Sequence, residues 1–391
     1  MMAASTMSEP NKPETKRSGA LREIAKEFLR LGFVAYGGPA AHIAMMEERF
    51  VRRREWVSRE RFLDLVGAVN LLPGPSSTEL VIYLGEIRGG LAGLIVAGAC
   101  FILPAAVLVV GLAWAYEKFG TVPQVAGLLF GIKPVVVALV AQAVWNLART
   151  ALKSAGLAVL AAAVVAFALL GVDVLLLLVG AGVLWMLLRE GQKLLRANAG
   201  AASILGVLTT GGGGAVGIAP LFFYFLKIGA VLFGSGYVLL AVLRADLVVR
   251  LKWLTDAQLL DAIAVSQATP GPFFTVSTFI GYLLGGWRGA GLATLGMFLP
   301  AFVYVGATAG FLPKLRKSPV ASAFLDGVNS AAVALMATVG WQFARAALVN
   351  LPAVVLALVS ALLVFRFKVN SAWLVLGGAV AGILLQILGR I

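Results

Sequence analysis

The chain is short of charge and of reactive side chains. Of its 391 residues only 13% are charged, one is a histidine (His42) and one a cysteine (Cys100). A single cysteine excludes a disulfide within the chain, and the apolar run around Cys100 marks it as a small buried side chain. One histidine and one cysteine cannot close a metal centre, so neither metal nor cofactor is expected. The Gly-x-x-x-x-Gly-Lys-Ser/Thr loop that cradles nucleotide phosphates is missing, which argues against direct ATP coupling on this chain. Paired histidines and a convincing nucleophile–base pair are missing too, so an enzyme is not expected. Residues 1–19 lack the apolar core of a secretory leader and hold Lys12, Lys16 and Arg17; they read as a disordered cytoplasmic tail.

What fills the chain instead is apolar: 60% of the residues are hydrophobic. Runs of roughly 18–25 apolar residues recur between short loops carrying Lys and Arg, the pattern of an all-α polytopic membrane protein. The net charge of +14 invites a nucleic-acid reading. The basic residues lie in short loops, however, where the preference of Lys and Arg for the cytoplasmic side explains them better. The expected surroundings are a lipid bilayer and the plasma (inner) membrane, with no nucleic acid. Spans are expected near 91–116, 125–146, 151–170 and 172–188, and again near 289–312, 320–344, 351–366 and 371–388.

Two breaks organise the rest. Pro73-Gly74-Pro75 and Pro270-Gly271-Pro272 stand 197 residues apart (Pro73 to Pro270), each between two helical stretches that proline prevents from joining. The same offset carries Phe28 to Phe225, Gly32 to Gly229, Trp56 to Trp253 and Asp64 to Asp261. It becomes 196 further on, where Pro104 matches Pro300 and Gly131 matches Gly327. The chain is therefore a duplication: residues 20–190 form one repeat, 220–391 the other, and 191–219 a linker. Within each repeat a second break, Gly37-Gly38-Pro39 or Gly234-Ser235-Gly236, precedes the Pro-Gly-Pro, and both are read as turns of re-entrant hairpins.

Loop charge sets the relative orientation of the copies. In the first, the basic loops hold Arg149 with Lys153 and Arg189 with Lys193 and Arg196; in the second the bias moves to the other loops, at Lys314, Arg316, Lys317 and at Arg366, Lys368. Two copies with opposite bias have inverted topology, and the linker must then supply one extra crossing, expected within 201–224. The arginine-rich loop at 47–61 and the N-terminus are expected in the cytoplasm.

Paired breaks deep in apolar sequence point to the central site of a transporter, because bare backbone is tolerated there only if it is buried in protein or lines a wet cavity. The half-helix after each break starts with free N–H groups and the positive end of a dipole, which suits an anion. Ser76, Ser77 and Thr78 add hydroxyls in one copy, and Thr275, Ser277 and Thr278 in the other. The competing reading is a structural kink. Asn70 and Gln267, matched just before the breaks, either close freed carbonyls or touch substrate. Arg30 and Lys227, matched cations, either draw an anion to the hairpins or snorkel to the interface. Lys133, whose counterpart is Asn329, is read as interfacial. His42 is either a proton carrier or a hydrogen-bonded hairpin residue, and its counterpart Leu239 limits that role to one copy. Glu79, an intramembrane carboxylate, is either a proton carrier or an ion partner of Arg30.

The stretches Phe28–Gly32, Tyr36-Gly37-Gly38-Pro39-Ala40-Ala41-His42, Asn70–Thr78 and Ser266–Thr275 together resemble the chromate ion transporters in their long form, two fused homologous halves. The resemblance covers residues 28 to about 389. It implies export of chromate across the inner membrane, resistance to chromate, sulfate as the structural mimic and the proton-motive force as energy source. The second copy departs from it at Gly234-Ser235-Gly236, where proline and histidine are absent, so a role on His42 is not doubled. Alternating access of one repeat against the other is the expected mechanism. A passive oxyanion channel and a sulfate-type uptake carrier stand as alternatives, and oligomeric state is open, with a homodimer as one arrangement.

Overall fold

A computed structural model of the chain describes residues 14–120, 122–194, 217–233, 236, 238–308 and 319–389, and those residues form fourteen α-helices and no strand. The first repeat opens with α1 (Glu14–Val34), breaks, and resumes as α2 (Pro39–Met46), which runs into a π-helical turn, Glu47–Arg53. Gly37 at this break has φ +103°, a conformation that side chains with a Cβ rarely adopt. Helix α3 (Arg59–Val69) is started by the Ser58 hydroxyl, which accepts from the Arg61 N–H, and stops before Pro73-Gly74-Pro75. Helix α4 (Ser76–Phe119) follows; at Gly90 (φ +63°, ψ −153°) it folds back, so residues 76–89 form a half-helix and residues 91–119 a full crossing. Helices α5 (Pro123–Ala151), α6 (Ala155–Leu169) and α7 (Val174–Leu194) complete the copy.

The second repeat repeats the order: α8 (Ile218–Val231), α9 (Val238–Leu243) with its π-helical turn Arg244–Arg250, α10 (Asp256–Ala268), α11 (Val276–Thr308, folded back at Gly285 and Gly286), α12 (Pro319–Ala347), α13 (Leu351–Arg366) and α14 (Ser371–Ile387). Thr255 and Gln258 cap α10 reciprocally. Among the described residues, four helical segments are long and apolar enough to cross a bilayer, Ser76–Phe119, Val125–Ala151, Phe273–Thr308 and Pro319–Ala347. Over the described residues each expected span coincides with a helix to within about six residues, and residues 309–312 lie outside them. Residues 201–216 of the expected linker crossing, and Lys314, Arg316 and Lys317, lie outside the described residues, as do residues 1–13 of the expected tail.

Contacts between the copies establish that they are inverted. The fold-back of α4 lies beside the start of α1, since a Cβ built on Gly89 would stand 2.8 Å from Ile24, and the end of α11 is there too, where the Tyr83 and Thr308 hydroxyls meet. The fold-back of α11 lies beside the start of α8, with Gly285 facing Ile218 and Leu221, and the end of α4 is there, where the Tyr116 and Phe279 rings stand 5.4 Å apart. The start of one copy thus shares an end of the molecule with the finish of the other's long crossing.

Small residues allow the close approaches that hold this arrangement. Gly32 packs on the Cys100 and Phe101 carbonyls, and its counterpart Gly229 on Met297 and Gly296. The copies are also interwoven. Helix α5 packs on α13 and α14 of the other copy, with Gly131 against Gly378 and Gly382; α12 packs on α6 and α7, with Gly327 against Ala181 and Gly182. Such close backbone approach, supplemented by hydrogen bonds such as Ser330 Oγ to the Leu157 carbonyl (2.6 Å), is how helices associate where lipid removes the hydrophobic drive.

Candidate functional site

The breaks are tied together across the copies, with Gly234 and Ser235 of the second copy's first break lying outside the described residues. The Gly74 N–H donates to the Leu232 carbonyl at the end of α8, 2.8 Å, and the Gly271 N–H donates to the Ala35 carbonyl at the end of α1, also 2.8 Å. Each Pro-Gly-Pro turn is therefore tied to the first break of the opposite copy. Both glycines have positive φ, +128° and +99°, and both are crowded: a Cβ on Gly74 would lie 2.8 Å from Glu79 Oε1, and one on Gly271 2.5 Å from Ala105 Cβ. These positions require glycine for conformation and for space alike.

The first half-helix leaves its polar groups unused. Pro75 has no N–H to give, and the Thr78 and Glu79 N–H groups bond the Pro75 carbonyl, which leaves the Ser76 and Ser77 amides at the open end of the helix. Thr78 Oγ1 and both Glu79 carboxyl oxygens are buried with no hydrogen-bond partner among the described residues. Gln267 Nε2, at the end of α10, is another buried atom without a partner. In the second copy the hydroxyls are consumed locally: Thr275 donates to the Pro272 carbonyl (2.9 Å), Ser277 to the Phe274 carbonyl (2.8 Å), and Thr278 meets Thr294 (2.7 Å). An unsatisfied buried polar group costs about 1–3 kcal/mol, so these atoms are candidates to meet water or a ligand.

His42 bridges the two breaks of its own copy. Its Nε2 stands 3.2 Å from the Ala35 carbonyl, the same carbonyl that receives the Gly271 N–H, and its Nδ1 3.4 Å from Ser77 Oγ. A lone imidazole thus touches both the backbone knot and the hydroxyl at the mouth of the half-helix.

The remaining candidates lie elsewhere. Asn70 is exposed, whereas its counterpart Gln267 is 7% exposed. Gly38 is the residue before α2 and is half-buried. Arg30 is exposed and lines a cavity of about 420 Å³ with Glu27, Glu48, Arg49 and Arg53. Around it Glu27 is held by Arg49 at 2.5 Å and by Arg54, and Arg53 bonds Glu48 at 2.9 Å, which holds the Glu48 carboxyl below its ordinary range. No ion pair joins Arg30 to Glu79 among the described residues. Lys227 is half-buried and acts on Asp246 across its own hairpin.

Among the ion pairs that sequence reading missed, one joins the two copies deep in the molecule. Lys133, expected at the interface, stands 3.1 Å from Asp261 on α10, and both are largely buried. The signal was present: a lysine and an aspartate inside apolar helices are costly apart, and each calls for the other.

Inverted, interwoven repeats whose broken helices converge on unpartnered polar groups define a polytopic membrane transporter. The comparisons agree. The sequence model of the family described as chromate transporter matches residues 22–186 and again residues 219–383, and the chain belongs to that family. It is 32% identical to the chromate transport protein of Cupriavidus metallidurans over 95% of this chain and 97% of that one. It is 30% identical to the chromate transport protein of Pseudomonas aeruginosa over 92% and 91%, and 29% identical to a probable chromate transport protein of Synechococcus elongatus over 93% and 95%. No solved structure matches the chain.

Proposed function

We propose that the protein exports chromate, or a sulfate-like tetrahedral oxyanion, across the inner membrane by alternating access driven by the proton-motive force. The observation that carries the reading is the reciprocal pairing of Gly74 with Leu232 and of Gly271 with Ala35 around the unpartnered Thr78 and Gln267 side chains. A dianion at the mouth of the first half-helix meets the Ser76 and Ser77 amides and the Ser77 and Thr78 hydroxyls. Donors without full charge hold it while letting it leave. Its charge cannot share that space with an ionised Glu79, so occupancy by the anion is linked to the proton carried by Glu79. His42, in contact with Ser77, relays that proton.

The arginine-rich hairpin and the N-terminus face the cytoplasm in this reading, in keeping with the charge bias of the loops. The names of the relatives support chromate as cargo. The test is uptake of radiolabelled chromate into inverted membrane vesicles. Accumulation that needs an imposed pH gradient, saturates, and is competed by sulfate is the expected result. Flux that ignores the pH gradient and does not saturate identifies a passive channel instead.

A further inference from the structure

A second polar cavity lies away from the central knot. It measures about 710 Å³ and opens at the end of the molecule opposite the arginine-rich hairpin, between the α4–α5 corner, α10, the fold-back of α11 and the end of α12. Lys133 and Asp261 form its floor, with side chains 23% and 4% exposed. The Tyr116 hydroxyl donates to Asp261 Oδ2 at 3.0 Å. Lys133 Nζ stands 3.1 Å from Oδ1 as an ion pair.

We propose that this cavity is a second oxyanion-binding site, in which Lys133 is the docking cation and Asp261 the proton-operated latch that exposes it. With Asp261 ionised, the lysine charge is neutralised and an incoming anion finds nothing to bind. When a proton from the cavity water joins the Asp261 carboxylate, the ion pair dissolves while Lys133 keeps its own proton. A full positive charge then faces the cavity, beside the Gln258 amide and the Tyr116 hydroxyl. Once the anion leaves, Asp261 returns its proton to water and recaptures Lys133. In a partly buried site a cation without its counter-ion is strongly attractive to a dianion, because low dielectric magnifies the charge.

The other groups around Asp261 do not supply this switch. Helix α5 brings Lys133, α4 brings Tyr116 and Glu117, and α11 and α12 face the cavity with Leu283, Leu284, Ala346 and Ala347. Glu117 faces the Tyr282 hydroxyl on α11. The counterparts of Asp261 and Lys133 are Asp64 and Asn329.

The ligand class rests on the oxyanion reading above, and the test separates the two. Equilibrium binding of radiolabelled sulfate to the purified protein in lipid nanodiscs is measured across about pH 5.5 to 8, a range in which sulfate stays a dianion, so any pH dependence is the protein's. The wild-type protein is expected to gain a second, pH-sensitive class of sulfate site as pH falls. Asp261→Asn shows that class at every pH. Lys133→Gln loses it, with binding to the class weakened roughly tenfold or more, and Lys133→Arg restores it. Glu117→Gln keeps the wild-type pH dependence. Retention of the pH-sensitive class in Lys133→Gln, or an unchanged pH dependence in Asp261→Asn, overturns the proposal. So does a lowered melting temperature in both variants with sulfate binding unmoved, which marks the pair as a fastening between α5 and α10 only. Absence of saturable sulfate binding to the wild-type protein at any pH overturns the oxyanion reading itself.

Discussion

The two hairpins are one design buried to different depths. In the second, all six residues of α9 are buried, and α10 packs against α5, α11, α12 and α14 with eight of its residues buried. In the first, α2 buries only His42 and Met46, α3 packs mainly on α4 and its own turn, and Leu63 and Asn70 are exposed. The buried apolar side chains divide the same way. Those of the second hairpin belong to the main core with α5 and α12, whereas those of the first form a separate cluster with α1 and α4, joined from the other copy by Ala301 and Val305. Related sequences in related folds do not need different packing. The difference teaches that the second hairpin is seated in the main core with α5 and α12, while the first packs in a separate cluster with α1 and α4.

Charge obeys the same comparison. Glu47 pairs with Arg59 at 3.7 Å in the first hairpin, and at the matching positions Arg244 pairs with Asp256 at 2.7 Å and 3.1 Å in the second. The bracing contact is retained while its polarity is reversed. The arginine-bearing Arg49–Glu27 pair likewise gives way to Asp246 and Tyr224.

The contrast between the hairpins can be broken in several ways. The largest effect is on accessibility. In a Cys100→Ser background, Asn70→Cys should react with a water-soluble maleimide on the order of a hundredfold faster than Gln267→Cys, because one side chain is exposed and the other buried. Equal labelling rates would remove the asymmetry. Gly271→Ala places a methyl 2.5 Å from Ala105 Cβ at φ +99°. The backbone strain alone is about 1–2 kcal/mol, and chromate flux should fall at least roughly tenfold. Adding Ala105→Gly should recover part of that loss by relieving the contact while leaving the strain. Glu79→Gln should leave a folded protein, since its carboxyl has no partner to lose, with a melting temperature equal to or above that of the wild type, while the flux no longer responds to a pH gradient. The smallest effect is in the braces. A double-mutant cycle on Arg244 and Asp256 should give a coupling of about 1 kcal/mol, and one on Glu47 and the exposed Arg59 about zero to 0.5 kcal/mol.

Much of this was legible in the residues because a bilayer leaves few choices. A proline pair around Gly74 or Gly271 must end a helix, and the offset between them shows the duplication without any alignment. The fold-back at Gly90 falls just before residue 91, where the expected span near 91–116 begins. What periodicity could not supply was which element meets which. Nothing local in Gly74 says that its N–H reaches Leu232 of the other copy, and nothing in Gly131 names Gly378 as its neighbour. Lys133 was read from its position in one helix, four residues into an apolar span, and so was placed at the interface; its partner lies 128 residues away on α10 (Lys133 to Asp261). Long-range pairing between interwoven copies is set by packing, which a single sequence does not display.

The most direct test is to locate the cargo. The purified transporter, saturated with selenate and examined by anomalous diffraction, should show a selenium peak within hydrogen-bond reach of the Ser76 and Ser77 amides and the Thr78 hydroxyl, and that peak should vanish when Thr78 is replaced by valine and Ser77 by alanine. A structure at saturating selenate with no peak between the two Pro-Gly-Pro turns would contradict the account.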